Sequence, residues 1–106
     1  MQTETEFLAA AEAEMEALES WLEDSTDGEV ECLRSGHVLT IELDDGRQVV
    51  VNIQTPMKEI WFASPFGGRH FAFNGATQQW EDTRTQSPLA SVIQEALTQM
   101  GVDFAS

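Results

Sequence analysis

Carboxylates dominate the stretch from Glu12 to Glu31, and they are the side chains of this sequence best suited to chemistry. Nine of these twenty residues are Asp or Glu, and none is Lys, Arg or His. Carboxylate oxygens select hard cations such as Fe²⁺, Fe³⁺, Mn²⁺, Ca²⁺ and Mg²⁺. Because the stretch contributes no His or Cys ligand, we expect weak binding of several exposed ions and no closed metal cage.

Some of these acids share one flank of a predicted helix. A helix advances 100° per residue, so four acids point within about 60° of one another around the helix axis. We call them the acidic ridge: Glu12, Glu16, Glu19 and Glu23. Like charges one turn apart oppose the helix by about 0.2 to 0.5 kcal/mol per pair. A cation or a basic protein would relieve this repulsion. The alternative is a solvated acidic face that binds nothing.

A second candidate site combines amides with an aromatic ring. Strand alternation places Asn52 and Gln54 opposite the core-directed valines of their strand. The same alternation places Trp61 on that outer sheet face. Exposed Trp is a frequent hot spot of protein interfaces, so we predict a recognition surface. The alternative is that Trp61 is half-buried packing.

Motifs of familiar enzymes are missing. The sequence has no G-x-S-x-G, no P-loop, no dinucleotide fingerprint and no H-E-x-x-H. An EF-hand does not fit around Gly28, because Arg34 would stand where its bidentate glutamate belongs. Cys32 lies beside an acid, which does not activate a thiol, and is predicted to be structural. We therefore expect a binding protein and not an enzyme.

Two predicted helices flank the strands that position these residues. The first helix is predicted from Thr5 to Glu23, with a capping box between Thr3 and Glu6. Its apolar stripe is predicted at Leu8, Ala11, Met15, Leu18 and Leu22. Ser87-Pro88 is the predicted start of the second helix, with Ser87 as N-cap, and Gly101 its predicted end.

Alternating patterns predict five or six strands between the helices. The segments are 29–34, 37–43, 47–54, 60–63, 69–74 and 78–82, with turns at Asp44-Asp45-Gly46 and Gly67-Gly68. Two amphipathic helices can both bury their stripes on one face of a single sheet. The predicted fold class is therefore α+β: a two-layer sandwich with both helices on one face of a five- to six-stranded antiparallel sheet.

Length and charge narrow the class of protein. The 106 residues suit a single domain, residues 1–106, and the formal net charge is −14. Such a surface repels nucleic acid and anionic membranes and attracts cations and basic protein faces. The single cysteine allows no internal disulfide, and the N-terminus lacks a targeting pattern. We expect a monomer of the cytoplasm that binds neither nucleic acid nor membrane.

The segments N-I-Q-T-P-M-K-E-I-W-F-A-S (Asn52 to Ser64) and G-G-R-H-F (Gly67 to Phe71) resemble the frataxin family, in its bacterial CyaY branch. The resemblance extends from the acidic first helix to the last helix. It implies the fold predicted above and an iron-binding protein of iron–sulfur cluster assembly. Such a protein would bind Fe²⁺ or Fe³⁺ weakly and dock on the cysteine desulfurase and the scaffold, which in bacteria slows cluster formation.

The resemblance also implies which residues act. The implied ridge positions for iron and for the desulfurase are Glu19, Glu23, Asp24, Asp27, Glu29 and Glu31, and the implied sheet-face contacts are Asn52, Gln54 and Trp61. Glu12 and Glu16 extend the ridge on the wheel argument alone. Ser20 departs from the family pattern, in which many members have an acid, and the loop after the helix is one residue short.

Two rival functions remain open from the residues. A ferroxidase or iron-storage protein would need a closed diiron centre, and the ridge lacks the Glu-x-x-His pairs of such centres. An acidic phosphate mimic would instead occupy the site of a nucleic-acid-binding protein. Iron-dependent oligomers and binding of other divalent cations are further expectations.

Overall fold

The computed structural model describes residues 3–104 of the chain. Two helices flank six strands in the order α1 (Glu4–Ser25), β1 (Val30–Ser35), β2 (Val38–Leu43), β3 (Gln48–Gln54), β4 (Glu59–Ser64), β5 (Gly67–Asn74), β6 (Gln79–Asp82) and α2 (Leu89–Gln99). This is the predicted order of elements, with boundaries that differ by a few residues.

Helix α1 begins with the predicted capping box. The Glu6 N–H donates to Thr3 Oγ1 at 3.0 Å, and the Thr3 N–H donates to Glu6 Oε1 at 3.1 Å. The predicted start of the buried stripe at Leu8 is wrong by one residue. Phe7 is fully buried and Leu8 only half-buried, because the spacing of three and four is continued by Phe7, Ala11, Met15, Leu18 and Leu22.

The strands form one antiparallel sheet in sequence order from β1 to β6. Gly46, with φ +90°, closes the β2–β3 hairpin at the predicted place. The predicted turn at Gly67-Gly68 is wrong, since both glycines begin β5 and Pro65-Phe66 form the turn. Proline has no N–H to donate to a ladder, so β4 ends immediately before Pro65.

Helix α2 begins one residue later than predicted. Pro88 is its N-cap, with an extended ψ of 144°, so Ser87 does not cap the helix. Ser87 is held instead by the end of β6: its carbonyl accepts the Asp82 N–H at 2.9 Å. The predicted helix end is confirmed, because Gly101 follows the last turn with φ +100°.

Both helices bury their apolar stripes against the same face of the sheet. The inner face of the sheet includes Leu39, Ile41, Val49, Val51, Ile60, Phe62, Phe71 and Trp80, which form one buried cluster with the stripes of α1 and α2. The predicted two-layer α+β sandwich is therefore confirmed. The opposite face of the sheet carries half-buried and exposed side chains, and we call it the open face.

The last described residues return to α1. The rings of Trp21 and Phe104 stack with their centroids 5.4 Å apart and an angle of 29° between the planes. This contact explains why a tryptophan lies on α1 outside the buried stripe. In the part of the chain from Thr3 to Phe104, neither helix has the length and apolar content needed to cross a membrane.

Candidate functional site

The first half of the candidate site is the junction between α1 and the edge strand β1. Strand alternation turns Cys32 and Arg34 toward α1, and both are half-buried. The Nη1 atom of Arg34 lies 3.8 Å from Oε1 of Glu19. Two helical turns before Glu19, Oε1 of Glu12 lies 3.9 Å from Nε2 of His37, in the turn between β1 and β2. These distances place the two acids beside the β1 edge, and both are too long for hydrogen bonds.

Negative charge at this junction acts on the thiol of Cys32. Burial, and after it the negative charges of Glu19 and Glu23, together raise the pKa of Cys32 to about 11. A thiol with this pKa stays protonated at neutral pH, which agrees with the predicted structural role.

The remaining ridge acids are spread along the helix, the turn and the strand. Exposed side chains belong to Glu16, Glu23, Asp24 and Asp27. Asp27 has a positive φ of 52°, which lets the chain reverse between α1 and β1. Carboxylates separated in this way attract cations through their combined field.

Two of the predicted ligands differ in their surroundings. Glu29 is half-buried, and its Oε1 lies 3.4 Å from the backbone N of Asp103. Glu31 alternates with Cys32, so its exposed side chain lies on the open face of the sheet, directly across from Glu42. Within residues 3–104, no three His, Cys, Asp or Glu side chains are grouped closely enough to hold one metal ion. The ligand assignments remain predictions.

The second half of the candidate site is a row of side chains on the open face. Asn52 of β3 lies directly across from Trp61 of β4, and Trp61 lies directly across from His70 of β5. Gln54 faces Glu59 one row further along. The predicted grouping of Asn52, Gln54 and Trp61 on one sheet face is thus present in the structure, with all three half-buried.

Glu59 and His70 hold the indole of Trp61 in place. The Trp61 Nε1–H donates to Glu59 Oε1 at 2.8 Å, and the same oxygen lies 3.4 Å from His70 Nδ1. The rings of Trp61 and His70 stack with centroids 4.3 Å apart and planes 8° apart. The result is a flat aromatic platform with one carboxylate at its edge. We call Asn52, Gln54, Glu59, Trp61 and His70 the platform.

Sequence reasoning missed Glu59 and His70 as members of this site. Glu59 could have been found, because it lies two residues before Trp61 in the same strand and therefore shares its face. His70 could not, because its pairing with Trp61 depends on the register that the Pro65-Phe66 turn sets.

The comparisons with known proteins decide the family. The family model described as "Frataxin-like domain" matches residues 1–102. The chain belongs to the frataxin family. The iron-sulfur cluster assembly protein CyaY of Herminiimonas arsenicoxydans is 43% identical over 103 residues, which cover 93% of this frataxin chain and 90% of that protein. The protein of the same name from Bordetella pertussis is 46% identical over 85 residues, covering 77% and 76%.

Solved structures agree with the fold of this frataxin chain. Frataxin from Psychromonas ingrahamii superposes with a TM-score of 0.88 at 21% identity, covering 98% of this chain and 97% of that one. Trimeric frataxin from Saccharomyces cerevisiae, complexed with ferrous iron, gives a TM-score of 0.62 at 26% identity, covering 93% and 86%. The predicted family and the predicted frataxin-like fold are confirmed.

Proposed function

We propose that this chain is a regulatory binding protein of iron–sulfur cluster assembly and has no enzymatic activity of its own. Its ridge binds Fe²⁺ or Fe³⁺ weakly and docks on a basic face of the cysteine desulfurase, and its platform adds contacts to the desulfurase or the scaffold. Relatives above 40% identity named as iron–sulfur cluster assembly proteins support this role. A cytoplasmic location, where that assembly takes place in bacteria, belongs to the same proposal.

The observation that carries the proposal is the uncompensated charge of the ridge. Among the described residues, no Lys or Arg lies within 4 Å of the carboxylates of Glu16, Glu23, Asp24 or Asp27. Repulsion between them falls when a cation or a basic side chain approaches, and that approach is faster and tighter at low salt. Iron is the cargo best supported, because a yeast relative is described as complexed with ferrous iron.

The platform adds the shape selectivity that charge alone does not provide. Acids attract any basic surface, whereas a rigid indole flanked by amides accepts only a surface of matching shape. Trp61 is fixed by a hydrogen bond and a ring stack before any partner arrives, so little side-chain entropy is lost on docking. We therefore propose that Asn52, Gln54 and Trp61 select the partner that the ridge attracts.

A pair of single charge reversals tests the ridge. Glu23→Lys changes an exposed ridge position of α1, and Glu95→Lys makes the same charge change at an exposed position of α2. Affinity for the purified cysteine desulfurase, measured by calorimetry at low salt, should fall about tenfold for Glu23→Lys and little for Glu95→Lys. Equal affinities for the two variants would refute docking through the ridge.

A titration with Fe²⁺ under anaerobic conditions tests the cargo. Amide NMR signals of residues 16–31 should shift at submillimolar iron, while those of α2 stay unchanged. In a separate aerobic sample, catalytic oxygen consumption on adding Fe²⁺ would favour the ferroxidase alternative instead. Sedimentation of the same samples would reveal the expected monomer, and any iron-dependent oligomer. The phosphate-mimic alternative predicts binding to a DNA-binding protein and none to the desulfurase.

A further inference from the structure

Arg34 is the first basic residue of the chain, and it follows eleven acids. Its side chain lies between β1 and α1, with 24% of its surface exposed. The Arg34 Nε–H donates to the carbonyl oxygen of Gly36 at 3.1 Å. That hydrogen bond fixes the guanidinium at the end of β1, on the side where Glu19 approaches from the helix.

The contact between Arg34 and Glu19 is electrostatic and loose. The Nη1 to Oε1 distance is 3.8 Å, which is too long for a hydrogen bond. Oε1 of Glu19 is withdrawn from water and has no hydrogen-bond partner among the described residues. The nearby positive charge of Arg34 stabilises this oxygen, and a closer cation would stabilise it more.

Among residues 3–104, Glu19 is the one ridge acid with a Lys or Arg nitrogen within 4 Å of its carboxylate. Glu12 faces His37, which is charged only when protonated, and the exposed acids from Glu23 to Asp27 have no Lys or Arg within 4 Å in the described part of the chain. Glu19 therefore differs from its neighbours, because a fixed positive charge of the same chain already neutralises part of its field.

We propose that Arg34 is an internal competitor for the ridge: its guanidinium holds the charge-neutralising position at Glu19, and a metal cation or a partner's basic side chain must displace it to gain that carboxylate. This inference rests on the proposed binding function of the ridge. It implies an order of occupation, in which cations first bind around Glu23, Asp24 and Asp27 and reach Glu19 last. Arg34 thus lowers the affinity of the ridge and shifts its first site toward the turn.

Removal of the competitor is the test. Arg34→Gln removes the charge and keeps a polar side chain, whereas Arg34→Lys keeps the charge. Arg84→Gln is the matched control, because it changes the net charge equally in the loop after β6, at the opposite edge of the sheet. The probe is Mn²⁺, followed by paramagnetic broadening of the amide signals of Glu19, Glu23 and Cys32.

Arg34→Gln should bind Mn²⁺ about two- to fivefold more tightly than the wild type, the range expected for loss of one partly exposed charge pair. Glu19 and Cys32 should then broaden at the same Mn²⁺ concentration as Glu23. Arg34→Lys should behave as the wild type, and a thermal unfolding curve checks that each variant is folded. Equal affinities for Arg34→Gln and Arg84→Gln would overturn the inference.

The outcomes separate this inference from the proposed function. If the wild type broadens at the ridge but Arg34→Gln gains nothing over Arg84→Gln, the inference fails and the binding function stands. If only Arg34→Gln binds, the inference is overturned as well, because it requires the wild type to bind cations first around Glu23, Asp24 and Asp27. If no variant broadens at the ridge, both are overturned.

Discussion

The indole of Trp61 lies flat on the imidazole of His70, with ring centroids 4.3 Å apart and an angle of 8° between the planes. The two residues are direct cross-strand partners on the open face of the sheet. Register, a ring stack and the hydrogen bond from Trp61 to Glu59 therefore act together to fix one side-chain conformation. The platform is formed before any partner binds.

Truncation of the platform should weaken partner binding without unfolding the protein. We expect Trp61→Ala to lower affinity for the desulfurase or the scaffold by tenfold or more, as for a central interface aromatic. Phe66→Ala is the control, because Phe66 is 58% exposed but lies beside α2 and away from the open face. Calorimetry measures the affinity and circular dichroism the fold. A larger loss for Phe66→Ala would move the interface to the other side of the sheet.

Reversal of two ridge charges should make partner binding insensitive to salt. The wild type is expected to lose affinity steeply between low and physiological salt, because screening weakens attraction between exposed charges. In Glu19→Lys/Glu23→Lys the same increase in salt should change the dissociation constant by less than about twofold. The measurement is calorimetry at three salt concentrations. A parallel salt dependence in both proteins would exclude these two acids from the interface.

Asp82 should contribute to the pH dependence of the free energy of unfolding in the acid range. It is 4% exposed; its Oδ2 accepts the Arg69 Nε–H at 2.7 Å, and its Oδ1 accepts the N–H groups of Arg84 and Thr85 at 2.7 and 3.0 Å. Burial alone would raise the pKa of Asp82, but these hydrogen bonds and the Arg69 charge outweigh it, so the pKa is lowered. The folded state therefore holds its proton less tightly than the unfolded chain does.

The sign of this shift fixes the expected pH dependence. The stabilisation from Asp82 is fully present above its unfolded pKa of about 3.9 and is lost as the pH falls through its lower folded value. Asp82→Asn should cost about 2 kcal/mol of unfolding free energy at pH 7, and less at acid pH. Urea unfolding of both proteins from pH 7 to pH 2.5 measures the difference. Glu14 has the opposite effect on the free energy of unfolding. Burial raises its pKa, so its contribution to stability improves as the pH falls.

Cys32 should react slowly with thiol reagents. Burial and the charges of Glu19 and Glu23 raise its pKa to about 11, against an ordinary value of 9.0. At pH 8 the thiolate should therefore be about a hundredfold scarcer than in an unfolded chain. Alkylation by iodoacetamide in the presence of a chelator, followed by mass spectrometry, measures the rate. The double change Glu19→Gln/Glu23→Gln should accelerate it, and an equal rate would contradict the assigned cause.

The sequence was sufficient for the order of elements, because each element has a strong pattern of its own. Alternation fixed the inner and outer faces of β2, β3 and β4, and the capping box located the start of α1. The prediction of the α2 N-cap was wrong because two local signals competed. Ser87-Pro88 looks like a helix start, but the Ser87 carbonyl is bound to Asp82, which keeps Pro88 extended.

Contacts between elements distant in sequence could not be predicted. The stack of Trp61 on His70 needs the register of β4 and β5, and the approach of Arg34 to Glu19 needs the packing of α1 on β1. Pattern identifies which face a side chain occupies and leaves its neighbours undetermined. For that reason the sequence located both candidate surfaces but gave neither the platform nor the internal counter-charge of the ridge.

Strand β1 has a ladder partner on one side only, since it ends the sheet. Unpaired strand edges promote assembly into longer sheets unless charged residues oppose it, and here Asp27 and Glu29 lie just before β1 and Glu31 lies within it. These carboxylates therefore oppose edge-to-edge association of two copies of the molecule. Under the binding function proposed above, a bound cation would screen that repulsion, so solubility and metal loading would depend on one set of side chains.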